Sequence, residues 1–135
     1  MRILIASAAL AALAVPAQAG SSSKCHFSFW TVTQCAANVV VHGSKNKARI
    51  DQNQYGFGLF QFALQFQKGD GNNAYTGQSG NNEVALTFQN GNNNTAYTSQ
   101  EGTNKASFTV QSGNGLWGAT SSGGNNTITG VIQSN

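Results

Sequence analysis

A glutamine recurs every eleven residues through the second half of the chain, at Gln67, Gln78, Gln89, Gln100 and Gln111. Ser122 takes the next position and Gln133 the one after it. Two residues beyond each mark from Gln67 to Ser122 stands a glycine: Gly69, Gly80, Gly91, Gly102, Gly113 and Gly124. Thr76, Thr87, Thr98, Thr109 and Thr120 each precede the next mark by two. A strict period of this kind decides the architecture before any single residue is interpreted.

Each unit divides into a four-residue punctuation and a seven-residue run. Punctuations such as Ser79-Gly80-Asn81-Asn82 and Asn90-Gly91-Asn92-Asn93 are turn compositions. Glycine reaches positive φ freely, and Asn and Asp tolerate the left-handed region while bonding their own backbone. Runs such as Glu83–Gln89 and Lys105–Gln111 alternate β-branched or aromatic residues with others. They read as strands of roughly 23 Å at about 3.3 Å per residue. An eleven-residue repeat also fits a right-handed helical supercoil. Each unit carries glycine, which costs a helix about 1 kcal/mol apiece, so the strand reading is preferred.

Alternate strands differ, giving a super-period of twenty-two. Strands ending at Gln67, Gln89, Gln111 and Gln133 place Phe62, Val84, Ala106 and Ile128, and likewise Phe66, Phe88, Val110 and Ile132, at matching apolar positions. Strands ending at Gln78, Gln100 and Ser122 are more polar, with Tyr75 and Tyr97 recurring. Like stacks on like if two strands make one coil and coils repeat about 4.8 Å apart. The expected fold is therefore all-β, a β-solenoid of two-strand coils built from eleven-residue half-repeats. Such stacking sets Glu83 beside Lys105, which is expected to compensate that charged step. Burial energetics at about 25 cal/mol per Å² favour the Val/Leu/Phe face as the interior, and the residues leave open which face it is.

Charged residues are only 8% of the 135, and Gly, Asn, Gln and Thr are abundant. This uncharged, β-prone composition is the kind associated with cross-β, amyloid-forming assembly. Residues 1–19 read as a secretory signal peptide. Arg2 gives the positive start, Ile3–Val15 the apolar stretch and Ala17-Gln18-Ala19 the cleavage site, and the stretch is too short to span a membrane. Without Arg2, six Lys and Arg face four Asp and Glu, a scattered balance of +2 with no nucleic-acid patch. Residues 20–42 read as an N-terminal cap. Cys25 and Cys35 are its two cysteines, which in an oxidising compartment form one intramolecular disulfide or remain free or linked between chains. The segments Phe27–Thr33 and Asn38–Val41 read as strands outside the eleven-residue register. His26 and His42 lack partners at ligand spacing, so no metal and no cofactor are expected. Residues 43–135 are the repeat domain, with a longer connection between Asn53 and Phe60.

The spacing Gln-x-Gly-x-x-Asn-x-Ala-x-x-x-Gln resembles the curlin repeat of bacterial curli fibre subunits. It stands intact as Gln67, Gly69, Asn72, Ala74, Gln78 and as Gln89, Gly91, Asn94, Ala96, Gln100, while Gly43, Asn46, Ala48 and Gln52 match all but its first position. Asn46–Gln52 looks particularly like the minor, nucleating subunit type. Leu116, Gly118, Ser122 and the cysteine pair depart from the pattern, and the subunit type stays open. The resemblance implies a secreted, cell-surface subunit that polymerises end to end into an extracellular amyloid fibre for adhesion and biofilm matrix. Its partners would be copies of itself, other curlin-type subunits and an outer-membrane secretion pore. The ladder residues would be Gln52, Gln67, Asn72, Ala74, Gln78, Gln89, Asn94, Ala96, Gln100, Gln111 and Gln133, with Gly43 joining the turn glycines, and the resemblance implies that the Asn/Ala/Thr/Gln face turns inward.

The strand Thr127–Gln133 carries no charge and no proline, and with no cap expected after it, it is expected to offer an edge for strand addition. Two other function classes compete. A threonine column on a flat solenoid suits ice binding if it faces solvent. A glycan-cleaving enzyme needs clustered acids, and Asp51, Asp70, Glu83 and Glu101 are dispersed, so no enzyme is expected.

Overall fold

The computed structural model describes residues 20–26, 33–54 and 59–135, with side chains described for 36–53 and 60–135. Four shorter strands come first: β1 (Gly20–His26), β2 (Thr33–His42), β3 (Lys47–Gln54) and β4 (Leu59–Lys68). Three long ones follow: β5 (Asn73–Asn90), β6 (Thr95–Ser112) and β7 (Trp117–Ser134). Every pairing among them is parallel.

Each long strand is two half-repeats joined at a corner. Asn82, Asn104 and Asn126 sit at that corner with φ of 54°, 55° and 56°, the left-handed turn that separates two arms. The first arm stacks β1, β3 and the leading halves of β5, β6 and β7. The second stacks β2, β4 and the trailing halves. The column Gly20, Lys47, Asn73, Thr95, Trp117 passes through five levels, which makes about four turns of a β-solenoid. From β5 onward the offset between stacked residues is twenty-two, as in Tyr75↔Tyr97 and Phe88↔Val110. The super-period is thus the coil itself, and like strands lie on like.

The corners need their glycines. Gly80 has φ 144° and Gly91 φ 122°. A Cβ on either would lie 1.8 Å from the carbonyl oxygen of the glycine one level on, Gly102 or Gly113. Backbones at these two positions are therefore stacked too closely for any side chain.

The interior is polar. Ala48, Ala74 and Ala96 line one arm, and Ala63 and Ala85 the other, all at most 2% exposed. Buried Asn, Gln and Thr stand between them, and Ile50 with Ala63 and Ala85 forms a small apolar cluster. One side chain from each arm spans the gap. Gln65 Nε2 donates to Thr76 Oγ1 at 2.9 Å, and the hydroxyls of Thr98 and Thr109 lie 3.4 Å apart. Burial energetics alone favoured the Val/Leu/Phe face as interior, and the structure corrects that; the Asn/Ala/Thr/Gln face turns inward, as the repeat's resemblance implied. Phe88 and Phe108 point outward, 37% and 38% exposed. A gap one small residue deep on each side has no room for rows of Phe, and stacked amides satisfy one another there.

Asn38–Val41 lies within β2. It pairs in parallel with β4 at an offset of twenty-six, as Asn38↔Leu64, so the first coil joins the stack across longer connections. Residues 1–19, and most of Phe27–Thr33, lie outside the described residues.

Candidate functional site: stacked amide ladders and an open strand edge

Two glutamine ladders run along the axis. In the first arm, Gln52 Nε2 donates to Gln78 Oε1, and Gln78 to Gln100, each at 2.8 Å. Ser122 ends that column, in register with Gln100. In the second arm, Gln67, Gln89, Gln111 and Gln133 continue the pattern at 2.8, 2.9 and 2.9 Å. Every Nε2 in both ladders also donates across the interior to a backbone carbonyl, sixteen residues earlier in each case but Gln67, whose acceptor Lys47 O is twenty earlier. Examples are Gln89 to Asn73 O at 3.2 Å and Gln133 to Trp117 O at 2.8 Å. One amide thus ties two levels and two arms together.

The asparagines of the repeat pin the turn. Asn46, Asn72 and Asn94 donate through Nδ2 to the carbonyls of Gly69, Gly91 and Gly113 at 2.6 to 2.8 Å. Their Oδ1 atoms accept from the backbone N–H of Asn72, Asn94 and Leu116. The spacing from glycine to asparagine is therefore the spacing of an inter-level clamp. Ala74 and Ala96 occupy buried positions beside it where a larger group would meet the facing arm. The turn glycines Gly43, Gly69, Gly80, Gly91, Gly102, Gly113 and Gly124 all have φ between 82° and 144°.

Two further ladders on the rim were not singled out as ladders from sequence. Asp70, Asn92 and Asn114 each accept through Oδ1 from the backbone N–H one level before, at 2.7 to 2.9 Å. Asn82, Asn104 and Asn126 form a side-chain chain at 3.0 Å per step. The signal was available, since these are the third and fourth residues of successive punctuations. The Asp70 carboxyl is held below its usual range by the Ser44 N–H and hydroxyl.

The charged column differs from expectation. Glu83 and Lys105 are stacked neighbours, both buried, yet they are not an ion pair. Lys105 Nζ turns to the next level and donates to Ser122 O at 2.6 Å and Ser122 Oγ at 3.2 Å. Glu83 accepts from Gln61 Nε2 at 3.0 Å. Burial pushes its carboxyl up to about 7, opposed by that hydrogen bond and by the charge of Lys105. Among the described residues the one ion pair is Arg49–Asp51 at 2.7 Å, on the outer face of the first arm. Asp51, Asp70, Glu83 and Glu101 fall on the outer face, a corner, the interior and the far corner, and do not converge.

The two ends of the stack are unlike. At the first level Val39 and Val41 stand over Gln65 and Gln67. The Oε1 atoms of those glutamines are buried and find no donor among the described residues. The first coil thus ends the amide ladder. Cys25 and Cys35 stand in register with Gln52 and Gln61. Their side chains, and hence the expected disulfide, lie outside the described residues. At the other end β7 pairs with β6 alone among the described strands. Its 18 residues contain no charged side chain, and the second amide hydrogen of Gln133 has no partner among the described residues. The threonine column is interior: Thr76, Thr87, Thr98, Thr109 and Thr120 are at most 4% exposed.

A two-arm, parallel β-solenoid held by axial amide ladders is the class these features define. Comparisons with protein-family profiles, with curated proteins and with solved structures found no match to this chain.

Proposed function

We propose that this chain is the structural subunit of a homopolymeric cross-β fibre, growing as copies add to the edge of the coil stack. The observation that carries the reading is β7: an uncharged, 18-residue strand with one neighbour, in register with every ladder of the stack. A copy placed on that edge extends the backbone ladder of both arms and receives the free amide hydrogen of Gln133. Strand addition of this kind supplies affinity through main-chain bonds and specificity through the stacked side chains. Natural monomers cover such edges with charge, proline or a bulge, and β7 has none of these charges or prolines.

The likeness of Gln67–Gln78 and Gln89–Gln100 to the curlin repeat supports the same reading. It also supports a secreted, cell-surface location, an outer-membrane pore as export partner, other curlin-type subunits as co-assembly partners, and adhesion and biofilm matrix as the fibre's use. Ice binding loses the condition it rests on, because the threonine column does not face solvent.

The test is dilution of the chain lacking residues 1–19 from denaturant, followed by thioflavin T fluorescence and fibre diffraction. Expected are a lag, seeded growth, and reflections near 4.7 and 10 Å. A folded chain that stays monomeric at every concentration overturns the proposal.

A further inference from the structure

The outer face of the second arm is an apolar sheet surface with no described partner. Phe62, Leu64, Phe66, Leu86, Phe88 and Phe108 stand on it in stacked rows, in register across β4, β5 and β6. Ile128 and Ile132 extend it onto β7, 80% and 74% exposed. Phe108 lies over Gly130, where a Cβ would meet the ring at 2.2 Å, so the glycine keeps the surface flat instead of leaving a pit. Phe66 and Phe88 keep their ring centroids 6.3 Å apart down the stack. No charged side chain interrupts these rows between Phe60 and Phe66 or at the facing positions below. The other arm is the opposite: Lys47, Arg49 and Asp51 lie on its outer face. Burial cannot have placed the aromatic rows outside, since it favours them inside.

We infer that this face pairs two filaments laterally, the occupant being the same face of a second stack of this chain. The inference rests on the fibre reading above. Two quantities single out that occupant. Four strands about 4.8 Å apart, with apolar positions covering some 17 Å of strand, give a patch of about 300 Å² per copy. A stable pair needs about 800 Å² per partner, so one chain falls short and about three copies in line exceed it. The rows also repeat at every level along the axis. A globular partner or a lipid surface has no matching axial period, whereas a second stack has the same one, and sheets so packed lie about 10 Å apart. The monomer therefore stays single on this face, and pairing begins only after a short filament has formed.

The experiment is mass per length of wild-type filaments by dark-field electron microscopy, beside filaments of Leu86→Lys/Val110→Lys. Five levels occupy about 24 Å of axis, so a single stack holds one chain per 24 Å and a pair holds two. Wild-type filaments are expected at two chains and the double variant at one, with seeded elongation rates within about twofold of each other. Leu86→Thr/Val110→Thr, which keeps β-propensity, serves if the lysine variant does not fold, and is expected to give one chain too. Single wild-type filaments, or paired filaments in the variants, overturn the inference. Single filaments that bind phosphatidylcholine vesicles through this face overturn it in favour of lipid. A chain that forms no filament overturns the fibre reading itself, and the pairing with it.

Discussion

At the scale of one residue, Glu83 and the corner glycines carry most of the risk in this fold. The folded chain holds the Glu83 proton to about pH 7, whereas the ordinary carboxyl releases it near 4.5. Folding therefore takes up a proton between those values, and stability is greatest below the lower one and falls as pH rises toward the upper. The loss amounts to about 3 kcal/mol at most. Glu83→Gln is isosteric and still accepts from Gln61. It is expected to flatten the pH dependence of the denaturant midpoint between pH 4.5 and 7 and to stabilise the chain at pH 8. An unchanged pH profile would show that Glu83 stays ionised in the stack. The corners give a paired test. Gly91→Ala puts a Cβ 1.8 Å from Gly113 O, while Gly123 has nothing within 4 Å of that position and no positive φ. Gly91→Ala is expected to cost on the order of 3 kcal/mol or more, and Gly123→Ala no more than about 0.5 kcal/mol, in unfolding midpoints.

At the scale of the element, the ladder is the unit. Gln89→Ala removes the acceptor of Gln67 and the donor to Gln111 and to Asn73 O in one step, at a fully buried position. A cost of about 2–4 kcal/mol is expected. Gln133→Ala, half-buried at the last level, is expected to cost nearer 1 kcal/mol, and equal losses at the two sites would deny the ladder its axial character. Much of this element was legible in the sequence. The eleven-residue period marks the corners, and the alternation of strand classes gives the parallel stacking. The face that turns inward was legible only through the resemblance of the repeat, because per-residue burial energy ranks Phe88 and Leu86 above Gln89 and Thr87. What reverses that rank is collective. Translation along the axis lets each amide satisfy the next, and the narrow gap between arms admits only small or flat side chains. The first coil was hidden for a different reason: Val41 replaces the expected glutamine, and the connections lengthen the offset to twenty-six. The turn of Lys105 toward Ser122 depends on a side-chain path that spacing does not encode.

At the scale of the whole molecule, the two ends are different surfaces, which makes growth polar and open to a directed block. The outgoing edge is β7, and in register with its interior Val131 stand Thr109, Thr87, Gln65 and, at the first level, Val39. A copy continuing the stack would set its Val39 on Val131. Val131 is only half-buried in the single chain, so Val131→Lys lets the ammonium reach water there, at little cost to the monomer. Under an added copy the same charge would be sealed in the interior without a partner, which is strongly disfavoured. The variant keeps its first coil intact, so it still docks on a wild-type edge and then presents a blocked one. It is expected to fold with wild-type β content, to form no fibres alone, and to arrest seeded wild-type growth when present as a small fraction of the chains. Growth that merely slows in proportion to that fraction would mean addition does not pass through the β7 edge. The same uncharged edge sets a second condition: β7 offers no charge to steer encounter, so elongation from 20 to 500 mM salt is expected to change by less than about threefold. A steep fall with salt would place the approach on the charged outer face of the first arm, and growth would then begin with Lys47, Arg49 and Asp51 rather than with the strand edge.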